Sequence, residues 1–214
     1  MSGKQHWEKV YMTKSSQHVS WYQQHASLSL QLIQSAVSAT DACIIDVGGG
    51  ASTLVDDLQV AGYRHLTILD LSGEALALAQ KRLGGMSQIV TWIEDDVTTA
   101  PLPEHRYDLW HDRAVFHFLT EEADRRAYVA QVMRAVKPGG HVIVATFASD
   151  GPAQCSGLPV HRYTVEELQA AFGSNFELIK HAQEDHMTPG GQRQHFIYCH
   201  WCTPSAVEGL LGGE

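Results

Sequence analysis

The stretch that most constrains this chain is Cys43-Ile44-Ile45-Asp46-Val47-Gly48-Gly49-Gly50-Ala51-Ser52, an apolar strand that ends in an acid and a glycine turn before a helix begins. Such a turn brings backbone amides close to a ligand. Gly48 and Gly50 permit a sharp bend and close approach, and Ser52 or Thr53 can cap the helix that follows. Twenty residues past Gly50, a second apolar run, Leu66-Thr67-Ile68-Leu69, ends in Asp70, the spacing at which nucleotide-binding α/β folds place a carboxylate for ribose hydroxyls. Two matched strand ends define one cradle. A dinucleotide fingerprint would need a third glycine where Thr53 stands.

Strand and helix patterns alternate along the chain, which predicts an α/β fold: a doubly wound sheet with helices on both faces. The strands are expected near 42–47, 65–70, 89–94, 107–111 and 140–148. Helical spacing marks Leu54, Val55, Leu58 and Val60, then Ala75, Leu76, Leu78, Ala79 and Leu83, then Tyr128, Val129, Val132, Met133 and Val136. Gly84-Gly85 and Lys137-Pro138-Gly139-Gly140 read as stops for two of these helices. A further helix over 164–172 is capped by Thr164 with Glu167 three residues on. The chain then reads as two strands, Phe176 to Glu184 and Gln194 to Trp201, around the turn Thr188-Pro189-Gly190-Gly191.

At 214 residues and 44% hydrophobic content the chain suits one compact domain. A net charge of -9 without basic runs argues against nucleic acid or an anionic membrane as partner. No apolar run approaches the roughly 18 residues of a membrane span, and the N-terminus lacks an apolar signal core, so a cytoplasmic location is expected. Cys43, Cys155, Cys199 and Cys202 are too few and dispersed for a disulfide framework. Cys199 and Cys202 are three apart on an alternating strand, which turns them to opposite faces, and no metal is expected.

Asp46-Val47-Gly48-Gly49-Gly50 with Asp70 resembles the S-adenosylmethionine (SAM) site of a class I methyltransferase, and the resemblance covers nearly the whole chain. It implies a seven-stranded sheet of order 3-2-1-4-5-7-6 with strand 7 antiparallel. The final hairpin agrees with that topology. The resemblance implies SAM as cofactor and S-adenosylhomocysteine as product, with Asp46, Gly48, Gly50, Ser52, Asp70 and Leu71 on the cofactor. In Glu94-Asp95-Asp96-Val97, Asp96 would take the adenine amine and the Val97 amide would meet the ring. Asp112, at the end of the fourth strand, would lie beside the methionine end. The signature used for amino groups on bases is absent there.

The segment Asp112-Arg113-Ala114-Val115-Phe116-His117-Phe118-Leu119 is the expected reaction floor. His117 either accepts a proton from the methyl acceptor or packs locally, and Arg113 pairs with an acidic substrate or with Asp112. The N-terminal Trp7-Glu8-Lys9-Val10-Tyr11 and Val19-Ser20-Trp21-Tyr22-Gln23 resemble entries of thiopurine and chalcogen methyltransferases and of small elongation-factor lysine methyltransferases. That resemblance makes residues 1–40 a helical lid, with Tyr11 and Trp21 over the cofactor. Residues 41–204 form the methyltransferase domain and 205–214 a frayed tail. The loop 149–163 is expected to overhang the acceptor pocket opposite His117, bringing Cys155, His161 and Arg162 toward substrate, and His186 and Gln194 could close the same mouth.

The expected function is therefore methyl transfer to a nucleophilic S, N or O atom of a small molecule. A protein lysine is the alternative acceptor. A SAM-binding module without catalysis is the alternative of another class.

Overall fold

The structure, a computed structural model, describes residues 3–13 and 15–205. The frayed tail expected over 205–214 falls, beyond residue 205, outside the described residues. Five parallel strands come first: β1 (Cys43–Val47), β2 (His65–Asp70), β3 (Val90–Glu94), β4 (Tyr107–Arg113) and β5 (Val136–Phe147). The hairpin β6 (Glu177–Met187) and β7 (Arg193–Cys202) follows, with β7 antiparallel to both β5 and β6. The sheet order is 3-2-1-4-5-7-6, as the resemblance implied.

Helices cover both faces. On one face α5 (Glu122–Ala135) and α6 (Val165–Phe172) pack Tyr128, Val132, Leu168 and Phe172 against Ile45, Trp110, Val142 and Trp201. On the other, α2 (Ser27–Ala36), α3 (Leu54–Val60) and α4 (Gly73–Leu83) pack Leu32, Ile33, Leu54, Leu58 and Leu76 against Ile44, Ile68, Leu109 and Ile143. Strands buried on both faces are what a crossover-connected parallel sheet requires. The first helix, α1 (Gly3–Thr13), lies across the end of the sheet where the strands finish.

Local chemistry sets the helix ends. Ser72 Oγ accepts from the Ala75 amide to cap α4, and Gly84 at φ 56° closes it. Thr164 and Glu167 form the expected reciprocal capping box on α6. Three expectations need correction. Val60 belongs to the helical apolar pattern yet is 89% exposed, because it ends a short helix whose inward residues are Leu54, Val55 and Leu58. α5 stops at Ala135, just before Lys137-Pro138-Gly139-Gly140, but Val136 is not helical and the next strand starts there instead of at 140: β5 pairs with β4 at Val136, and the register shifts before pairing resumes at His141. The hairpin strands also extend further than expected, to Met187 and from Arg193.

No helix among the described residues is long and apolar enough to cross a membrane.

Candidate active site

The parallel strands end at one edge of the sheet, and the order reverses between β1 and β4, which opens a crevice there. The crevice is a cleft of about 830 Å³ including its mouth. Its lining joins Leu69, Asp70, Leu71, Asp95, Asp96 and Val97 with Trp7, Phe118, Leu119 and Cys155. A second cavity adjoins the first through Tyr11, Trp21, Val47, Gly48 and Arg113, and adds Ser29, Asp46, Gly49 and His111.

The glycine turn is sterically exacting. Gly48 has φ +67°, and a Cβ there would overlap Val115 Cγ2. At Gly50 a Cβ would stand 2.5 Å from Asp70 Oδ2 and from the Ala75 methyl. The backbone amide of Gly50 donates to Asp70 Oδ2 at 3.0 Å, and the Ser72 amide donates to Oδ1 at 2.9 Å. Burial pushes the Asp70 carboxyl up to about 6, against the pull of these two amides. Asp96 is held by Thr98, whose amide and hydroxyl both donate to Oδ1.

An aromatic roof covers the cleft. Trp7 meets Trp21 and Phe118 edge-on, with centroids 5.6 and 5.1 Å away, and Tyr11 meets Trp21 at 6.2 Å. Glu8 fixes α1 in place by accepting from Ser72 Oγ and from the Gly73 and Glu74 amides, so a carboxylate sits on the positive end of α4.

Residues 44–140 match a methyltransferase domain family. Over those residues the chain resembles methyltransferases, and its sheet has the class I, Rossmann-like methyltransferase fold. The chain is 28% identical to an uncharacterized methyltransferase of Mycobacterium tuberculosis over 127 residues, covering 59% of this chain and 60% of that protein. It is 22% identical to the eEF1A lysine and N-terminal methyltransferase of Danio rerio, covering 70% of this chain and 22% of the relative. Among solved structures, the 1,6-didemethyltoxoflavin-N1-methyltransferase of Burkholderia thailandensis, with 1,6-didemethyltoxoflavin and S-adenosylhomocysteine bound, superposes with a TM-score of 0.67 at 18% identity. That superposition covers 92% of this chain and 81% of the other, and at this identity it establishes shared fold.

Of the residues singled out in sequence, the fold brings Asp46, Gly48, Ser52, Asp70, Leu71, Asp96, Val97, Tyr11, Trp21 and Arg113 to the two cavity walls. Gly50 stands behind the wall as the amide donor to Asp70. Asp112 does not reach the cleft. Alternation along β4 turns it, with Trp110, toward α5, where it accepts from Tyr128 Oη at 2.7 Å and from the Val115 and Phe116 amides. Burial pushes its carboxyl up to about 6, against the pull of Tyr128.

His117 is fully buried and not among the lining side chains. Its ring packs on Phe118 and Phe147, and burial, with Arg113 nearby, pushes it down to about 3. Arg113 lines both cavities, but its guanidinium is committed: Nε donates to Tyr198 Oη, Nη1 to the Trp21 carbonyl and Nη2 to Glu184, and it stacks on Phe196. It pairs with neither Asp112 nor an open position for substrate.

The 149–163 loop lies on the same side as His117, since the His161 amide donates to the His117 carbonyl. Cys155 reaches the cleft. His161 packs on Tyr163, and Arg162 donates to the Gly151 carbonyl. His186 bonds the Ser20 carbonyl beside a separate groove, and Gln194 is buried next to it in the hairpin. Sequence reasoning passed over Ser29 and left His111 as an unranked alternative to His117; both join Asp46 in a buried chain of hydrogen bonds.

Proposed function

We propose that this chain transfers a methyl group from SAM to a nucleophilic S, N or O atom of a small-molecule acceptor. The observation that carries the reading is a cleft at the strand ends lined both by the acids Asp70 and Asp96 and by the rings of Trp7, Trp21 and Phe118, with a second cavity adjoining it at the Gly48 turn. The residues fit the cofactor. Gly48 faces both cavities with bare backbone, and a Cβ there would overlap Val115 Cγ2. Asp46 Oδ2 is buried and has no hydrogen-bond partner among the described residues, a position suited to a cationic donor.

In this reading Asp70 accepts from ribose hydroxyls, Asp96 from the adenine amine, and Leu71 and Val97 hold the ring between apolar surfaces. Residues 1–40 serve as a lid, with Tyr11 and Trp21 over the centre of the cleft. When bound, SAM supplies an electrophilic methyl on a sulfonium and leaves as S-adenosylhomocysteine. The chain's own contribution is alignment and exclusion of water. Trp7, Ala114, Val115, Phe118 and Leu119 on the acceptor side carry no ionisable group, and the Cys155 thiol stands among them. The acceptor therefore brings its own lone pair, and His117 has no part in proton removal.

A protein lysine is the second reading, favoured by the net charge of -9 and the likeness to the Danio rerio enzyme. The roof of Trp7 and Trp21 favours the small molecule.

Calorimetric titration of SAM and S-adenosylhomocysteine tests the reading. Micromolar binding that is lost in Asp70→Ala is expected, followed by turnover of small thiols or amines in preference to lysine peptides. Absence of binding to either ligand would sink the methyltransferase reading. Binding without turnover on any acceptor would leave a cofactor-binding module.

A further inference from the structure

β1 and β4 pair so that Asp46 stands opposite His111, and both side chains face α2. His111 Nδ1 lies 2.7 Å from Asp46 Oδ1, and its Nε2 lies 2.9 Å from Ser29 Oγ. Ser29, Asp46 and His111 are 1%, 2% and 2% exposed, and all three line the second cavity. With Asp46 ionised and His111 neutral, the ring donates from Nδ1 to the carboxylate and the Ser29 hydroxyl donates to Nε2.

That arrangement leaves Asp46 Oδ2 alone. It lies beneath Gly49 at the wall of the cavity. Arg113, the cation on the same wall, is fully engaged by Tyr198, Trp21 and Glu184. A buried carboxylate oxygen without a donor is unfavourable unless a ligand brings one.

We propose that Ser29 and His111 are positioning residues that hold Asp46 with Oδ2 turned to the cleft, where it accepts from the ammonium group at the amino-acid end of the cofactor. Resting on the SAM reading, this makes α2 part of the cofactor site. The helix contributes the hydroxyl that fixes the imidazole, and the imidazole fixes the acid. Recognition of the amino-acid end thus depends on the N-terminal segment being docked.

The test separates the two ends of the ligand. SAM, S-adenosylhomocysteine and 5′-methylthioadenosine, which lacks the amino-acid end, are titrated calorimetrically into wild type, Ser29→Ala, His111→Leu and His111→Asn. Ser29→Ala and His111→Leu are expected to weaken SAM and S-adenosylhomocysteine by about tenfold or more, while methylthioadenosine stays within about twofold. His111→Asn, whose amide can replace the Nδ1 donor, is expected to lose less than His111→Leu. Wild-type SAM affinity in Ser29→Ala and His111→Leu would overturn the proposal. Equal losses for all three ligands would overturn it as well, since the two residues would then only support the fold. No binding of any ligand by wild type would remove the SAM reading itself, and this inference with it.

Discussion

Replacing Gly48 with alanine tests whether the glycine turn is shaped by Val115. Two costs arise from the geometry. An L-residue with a Cβ at φ +67° is disfavoured by roughly 1–2 kcal/mol. The new methyl also overlaps Val115 Cγ2, an overpacking worth about 1–3 kcal/mol. Gly48→Ala should therefore lose about 2–5 kcal/mol in urea denaturation and weaken SAM, since the turn must shift away from its present path. Val115→Ala removes the obstructing carbon but not the dihedral cost. The double variant should then be more stable than the sum of the two single losses by about 1–3 kcal/mol, the overlap share alone. Losses that add to within about 0.5 kcal/mol would refute the reasoning, because the overlap would have been absorbed without Val115. A Gly48→Ala protein as stable as wild type would refute the dihedral part too.

Two further predictions follow from groups at the edge of the site. His117 has a folded value of about 3, below its ordinary 6.5, so the unfolded chain binds the extra proton; stability from this site is present above about pH 6.5 and is lost as pH falls toward 3. The loss should reach about 3 kcal/mol by pH 4, His117→Phe should flatten that slope in denaturation curves, and the pH profile of turnover should be the same in both proteins. Glu8→Ala removes the acceptor for three donors at the start of α4, which should loosen α1 by about 1–2 kcal/mol and speed exchange of its amides about tenfold, while β1 amides keep their protection. Unchanged exchange in α1 would mean that the Trp7 and Tyr11 ring contacts and the Lys4–Glu94 ion pair hold the helix without Glu8.

The parts of this molecule legible in the sequence are those with a local cause. Glycine turns, Thr164 with Glu167, and the spacing from Gly50 to Asp70 depend on backbone geometry within a few residues or one βα unit. Element boundaries failed where a distant partner decided them. β5 begins at Val136 because β4 is there to pair with Tyr107, whatever Pro138 and Gly139 prefer alone. The topology itself came from resemblance, not from spacing.

The misplacement of Asp112 has a deeper origin. β4 reads Tyr107-Asp108-Leu109-Trp110-His111-Asp112-Arg113, and both of its faces are buried, so no alternation of apolar and polar residues tells which side chain faces the cleft. Register settles it: Asp46 pairs with His111, which puts His111 and Arg113 on the α2 face and sends Trp110 and Asp112 to α5. An acid at the tip of a central strand can thus be structural, its carboxylate capping the turn through the Val115 and Phe116 amides, while the histidine one residue earlier holds the acid of the neighbouring strand. Asp112 stands nearer the end of the strand than His111, yet only His111 lines a cavity; the strand's parity, fixed by its neighbour, decides which of the two can reach it.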